Sequence, residues 1–73
     1  RISWPEKGLG LTITASANLG YLVVYAPTGA DFFCAEPVSH LTDAFNSGGD
    51  AGVIVLQTGQ DVCASVGFAP HML

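Results

Sequence analysis

Residues 9–16, LGLTITAS, alternate along their whole length: Leu9, Leu11, Ile13 and Ala15 fall on one side, Thr12, Thr14 and Ser16 on the other. A period of two predicts a half-buried β-strand. Before it, a short strand ending near Trp4 meets the turn signal Pro5-Glu6-Lys7-Gly8. After a break at Asn18-Leu19-Gly20, YLVVYAP carries apolar residues at both parities. That is the pattern of an inner sandwich strand, covered on both faces. Pro27-Thr28-Gly29 then turns the chain into ADFFCAEP, a further strand that Pro37 should close.

Residues 39–46, SHLTDAFN, do not alternate. A single helical turn capped by Ser39 and a long surface loop fit them equally well. The cluster Ser47-Gly48-Gly49-Asp50 reads as flexible. Residues 52–57, GVIVLQ, predict another strand, apolar on both sides, and Thr58-Gly59-Gln60 turns into DVCASVGF at 61–68. There Val62, Ala64, Val66 and Phe68 point one way, Asp61, Cys63, Ser65 and Gly67 the other. The last residues, APHML, read as a loose tail with His71 in solvent. With no repeat, heptad or helix of ordinary length, the chain is expected to be all-β, short strands joined by Gly/Pro turns.

Composition changes that picture in one respect. A chain of 73 residues is at most one small domain, and such a chain buries only about 60% of its unfolded surface. Ordering it costs roughly 1.5 kcal/mol per residue, on the order of 110 kcal/mol, which a small core only just offsets. Yet 49% of the residues are hydrophobic. More protein is therefore expected to pack against these strands, which read as part of a larger unit. The net charge of −4, with Arg1 and Lys7 the only fixed cations, argues against nucleic acid as a partner. No basic amphipathic stretch suggests a membrane surface, and the longest apolar run, LVVYA at 22–26, falls far short of the ~20 residues that span a bilayer. The stretch RISWPEKG lacks the apolar core of a signal peptide. Cys34 and Cys63 are expected to be reduced thiols, which favours a cytoplasmic setting.

The candidate chemistry centres on Glu36. It follows Phe32, Phe33, Cys34 and Ala35 and precedes Pro37, in a chain with only six carboxylates. A residue before proline is pushed into an extended conformation, so its side-chain direction is partly fixed. A carboxylate short of water is a better base, suited to proton transfer near neutrality. The residues alone leave a second reading open, a strand-end carboxylate hydrogen-bonded to loop amides. His40 could orient Glu36, contact a ligand or pack in the loop, while Asp43 and Asn46 suit turns. No metal site is expected: Glu36, His40 and Asp43 have no helix to gather them, and Cys34 with Cys63 lacks zinc spacing. No serine sits on a glycine elbow, and Gly48-Gly49 precedes no helix that could cradle phosphate.

YLVVYAPTGADFFCAEPVSHLTDAFN, followed after a glycine-rich gap by GVIVLQTGQDVCASVGF, resembles the C-terminal part of the aldose 1-epimerases, the galactose mutarotase family. The likeness covers nearly the whole chain. It rests on a tyrosine-proline strand end, then Phe-x-x-Glu-Pro, then Asp-Ala-Phe-Asn. It implies an antiparallel β-sandwich of large curved sheets, with an aldohexose lying across an open cleft. It further implies interconversion of α and β anomers without a cofactor. Glu36 matches the glutamate that takes the proton from the anomeric hydroxyl. The histidine that protonates the ring oxygen matches neither His40 nor His71, so the acid, and with it the remaining β-sandwich or a second chain, is expected from outside these residues. His40 is the nearest candidate for substrate binding. Thr58 and Gln60 stand where the family tends to have Pro and Glu, and Gly20-Tyr21 is an unusual start to a strand.

A competitor of a different class is a non-catalytic sugar-binding or assembly module. Sugar-binding sandwiches stack a pyranose on an aromatic ring, and Trp4, Tyr21, Tyr25 and Phe45 are the candidates. Most of these are expected in the core; Trp4 stands beside the turn at Pro5.

Overall fold

Two antiparallel sheets, and no α-helix, make up the regular structure among the described residues of the computed structural model, which are 1–47, 49 and 51–73. The strands are β1 (Ile2–Trp4), β2 (Leu9–Ala15), β3 (Tyr21–Tyr25), β4 (Cys34–Val38) and β5 (Val66–Met72). One sheet has the order β1-β2-β5, the other pairs β3 with β4. The predicted all-β class holds; the two sheets are not closed into a sandwich by these residues. No helix among the described residues is long and apolar enough to cross a membrane.

The alternation read in residues 9–16 is realised in β2. Its register sets Leu9 against Met72, Leu11 against Pro70, Ile13 against Phe68 and Ala15 against Val66. Side chains alternate between faces along a strand, so these eight share one apolar face, joined by Ile2 and Trp4 from β1. The opposite face carries Ser3, Gly10, Thr12, Thr14, Gly67 and His71. There a Cβ on Gly10 would collide with the His71 ring, and one on Gly67 would press on Thr14 Oγ1. Each glycine is the space that a partner-strand side chain fills. His71 Nδ1 donates to the Met72 carbonyl at 3.3 Å, and Nε2 lies 3.3 Å from Thr12 Oγ1. His71 is thus half-buried and docked, not loose in solvent.

Four other expectations are corrected. The strand predicted at 61–68 runs instead from Val66 to Met72, with the same residues on the same side. Its start is set by its partner: beyond Ala15, Ser16 N donates to the Ser65 carbonyl at 2.9 Å, and Asn18 Nδ2 to the Cys63 carbonyl at 2.7 Å. Pro70 and Pro37 both lie inside strands. Each strand has only one neighbour, so a missing N–H can face outward. Residues 52–57 form no strand, and Val55 there is 75% exposed. Strand propensity has no edge to satisfy it at that position. Finally, β3 is not an inner strand: it pairs with β4 alone, leaving Leu22 and Val24 exposed.

Among the described residues the apolar side chains withdrawn from water are the methyls of Ala44 and Ala51. The accessible surface is 5747 Å², about 1,500 Å² more than a compact chain of this mass presents. The Cα radius of gyration is 15.7 Å, against about 11 Å for a compact domain of this length. The sheets meet at Trp4 and Phe33, whose ring centroids lie 6.2 Å apart at 36°. Behind that contact, Ile2, Ile13 and Ala15 of one sheet face Leu22, Val24, Ala35 and Pro37 of the other across a cleft of about 470 Å³.

Candidate functional site

Glu36 occupies the middle of β4. Pro37 holds it extended, and the register sets it opposite Val23, with Val38 opposite Tyr21 and Cys34 opposite Tyr25. Alternation places Tyr21, Val23, Tyr25, Cys34, Glu36 and Val38 on one face. The carboxylate is exposed and makes no hydrogen bond or ion pair with another described residue. Directly opposed residues stand about 5 Å apart at Cβ, and alternate residues of one strand about 6.7 Å. Glu36 is therefore one step from both Val23 and Val38.

Those two valines floor a hollow of about 270 Å³, walled by residues of the following loop: His40, Leu41, Thr42, Asp43, Ala44 and Phe45. The loop is anchored at its base. Leu41 N donates to the Ala51 carbonyl at 2.9 Å, and Ala51 is only 3% exposed. Gly52, at φ 84°, fits where a Cβ would strike the Ser39 carbonyl and the Tyr21 ring. Only glycine takes that conformation and that approach together.

Within the loop, Asp43 sits in the left-handed region at φ 57°, a conformation that aspartate tolerates better than most residues. Its Oδ1 accepts from Asn46 Nδ2 at 2.7 Å, and its carbonyl accepts from Asn46 N at 3.1 Å. Ser47 Oγ donates to the Ala44 carbonyl at 2.8 Å. These bonds close the 3-10 turn Ala44–Asn46 and turn Phe45 outward, 93% exposed. The two alternatives left open for residues 39–46 thus resolve into one loop with a short turn inside it, not capped by Ser39. Of the flexible cluster expected at residues 47–50, Gly48 and Asp50 lie outside the described residues.

His40 is exposed on the rim, with Nδ1 3.0 Å from Ser39 Oγ and Nε2 without a partner among the described residues. The structure thus brings His40 to a hollow adjoining Glu36. His71 belongs to the other sheet. Among the aromatic candidates, Trp4 is engaged with Phe33, Tyr21 is half-buried against Gly52, and Tyr25 and Phe45 are exposed. Core placement of Tyr25 and of Phe45 is thereby overturned. The Asp43–Asn46 spacing was the signal available for Phe45: an aspartate bonded to the residue three on makes a turn, and turns present their central side chains outward. Among the described residues no three His, Cys, Asp or Glu gather closely enough to hold a metal ion. Cys34 and Cys63 are both free thiols. Compared with protein-family models, with curated proteins and with solved structures, the chain matches none.

Proposed function

We propose that these residues are the C-terminal strands of an aldose 1-epimerase-like β-sandwich, with Glu36 as its general base. The observation that carries the reading is Glu36 itself: extended before Pro37, its carboxylate without a partner among the described residues, and set beside a hollow whose rim holds His40. The sequence likeness around Glu36-Pro37 and Asp43-Ala44-Phe45-Asn46 supplies the reaction. Glu36 takes the proton of the anomeric hydroxyl as a histidine from outside these residues protonates the ring oxygen. The bond between C1 and that oxygen breaks, giving the open-chain aldehyde. Rotation about C1–C2 and the reverse proton transfers close the other anomer. The open apolar faces of both sheets support a larger sandwich, and two unpaired thiols support a cytoplasmic setting.

The exposure of Glu36 favours a second reading, a sugar-binding or assembly module without turnover. A chimera separates the two, made by replacing the C-terminal strands of a characterised aldose 1-epimerase with residues 1–73 and assaying fresh α-galactose by polarimetry. Turnover is expected, with Glu36→Gln lowering it roughly 10²–10⁴-fold, the ordinary share of a general base. A folded chimera that is inactive, or one indifferent to Glu36→Gln, removes Glu36 from the mechanism and leaves the module. The 73-residue chain alone, with half an acid–base pair, should not accelerate mutarotation.

A further inference from the structure

We infer that the outer edge of β3 is an interface between two copies of this chain, in which β3 pairs antiparallel with β3 of the partner about a two-fold axis at Val23. The inference goes beyond the reaction proposed above and uses none of its groups.

Prolines and turn bonds fix which backbone groups each strand turns outward. In an antiparallel pair, opposed residues alternate between bonding each other and facing away. Pro37 has no N–H to give Leu22, so that pair faces away, and with it Val24 and Ala35. In the other sheet Leu73 N donates to the Gly8 carbonyl and Ser16 N to the Ser65 carbonyl, both at 2.9 Å. Counting in twos between those bonds turns Pro70 outward on β5 and Ser3 outward on β1.

Each sheet thus has two open edges, and three of the four are guarded. Pro37 interrupts the outward row of β4 and Pro70 that of β5, while β1 offers Ser3 alone before Pro5 ends it. Short edges and edge prolines are how native sheets refuse a further strand. β3 has no such guard. Its sequence YLVVY holds no proline, glycine or charge. The outward N–H and C=O groups of Leu22 and Val24 have no partner among the described residues, and the two side chains are 61% and 62% exposed. Apolar exposure is common in this chain; an unguarded row of backbone donors and acceptors is particular to β3.

Such a row specifies an extended strand, and the register specifies which one. A two-fold axis at Val23 sets Leu22 against Val24 of the partner subunit, and Val24 against the partner's Leu22. Each of these pairs exchanges two N–H to C=O bonds, four in all. Tyr21 then falls opposite the partner's Tyr25, a favourable cross-strand aromatic pair. No charge lies on either β3. Glu36 stands three strand spacings from its counterpart, about 14 Å, beyond the ~8 Å over which physiological salt leaves charges coupled. The net charge of −4 is therefore no obstacle at this edge. A two-stranded sheet is marginal alone, whereas three or more strands with an apolar face hold. Pairing makes four, β4-β3-β3-β4, and leaves the apolar faces of both sheets open to further protein.

The test does not need the lone chain to fold, because ordering of β3-β4 and pairing are expected to be one event. In the 73-residue chain carrying Cys34→Ser and Cys63→Ser, single cysteines are introduced as Leu22→Cys, Val23→Cys or Val24→Cys and oxidised in solution. On the axis, residue 23 meets itself at a Cα separation of about 4.5 Å, within disulfide reach. Residues 22 and 24 each stand about 8 Å from their own counterparts, beyond it. Val23→Cys should cross-link at least about tenfold faster than the other two. Sedimentation and circular dichroism of the unmodified chain should show a monomer–dimer equilibrium, with sheet signal rising alongside dimer. Val24→Pro removes an N–H that β4 does not use and two of the four interface bonds, and should raise the dissociation constant about tenfold or more. Val66→Pro, the same change on the outward row of β5, should leave it unaltered. Equal cross-linking at all three positions overturns the interface, as does association indifferent to Val24→Pro. So does a chain that stays monomeric at every concentration, ordered or not. None of these readouts involves Glu36, so the proposed reaction stands or falls separately by polarimetry.

Discussion

The two sheets treat their polar groups in opposite ways. In β1-β2-β5 the polar face is consumed by the fold: the His71 ring fills the space above Gly10 and meets Thr12, and Thr14 lies over Gly67. In β3-β4 and its loop, polar groups are held in place but left unspent, namely Glu36, His40 Nε2 and one oxygen of Asp43. The first sheet joins residues far apart in sequence, Leu9 with Met72 at the extreme. The second is a local pair followed by a loop that returns to its own base at Ala51. Long-range pairing makes the scaffold, and local rigidity makes the candidate site. Polar groups that keep bonding capacity after the fold has placed them are the ones available to a ligand.

The sharpest way to break this contrast is at Gly52. A valine there must enter the left-handed region, at about 1–2 kcal/mol, and must push aside the Ser39 carbonyl and the Tyr21 ring, at about 1–3 kcal/mol more. Gly52→Val is expected to destabilise the loop and β3-β4 by roughly 2–5 kcal/mol and to leave β1-β2-β5 intact. Amide hydrogen exchange resolves the two sheets. Equal loss of protection in both would show that they open as one unit, and the contrast would be wrong.

Gly10 tests the other side. Its backbone is ordinary strand, so the only objection to a side chain is the His71 ring. Gly10→Val should cost about 1–3 kcal/mol by overpacking. In a His71→Ala background the objection is gone, and valine, a better strand former than glycine, should be neutral or stabilising. A coupling energy of about 1–3 kcal/mol is expected from denaturant melts of the four proteins. Additive effects would mean that His71 is not docked over Gly10.

The sequence made β2 legible because one face of it is apolar and the other is not, and the same phase carried correctly into Val66 and Phe68. It misplaced the ends of β5, since those depend on where β2 stops and on the Ser16 and Asn18 bonds to Ser65 and Cys63, which no local pattern contains. It mistook residues 52–57 for a strand because valine and isoleucine report a preference for pairing, not the presence of a neighbour. At the site, Glu36 and its extended backbone were readable from Pro37. The hollow was not, because its closure depends on Gly52 meeting Ser39 and Tyr21 across the loop.

The smallest expected effect bears most directly on the loop. Asn46→Ala removes the bond to Asp43 Oδ1, an exposed interaction with an ionised acceptor. A typical hydrogen bond contributes about 0.5–1.5 kcal/mol and one to a charged group about 1.5–3 kcal/mol, and exposure to water holds this one to the lower range. The backbone bond from residue 46 to the Asp43 carbonyl survives the change, so the turn should persist with faster opening. Amides of residues 44–47 should exchange several-fold faster while those of β2 and β5 do not. If exchange in the loop does not change, the Asp43–Asn46 clasp does not hold the loop, and the backbone bond from Asn46 N to the Asp43 carbonyl is enough to close the turn.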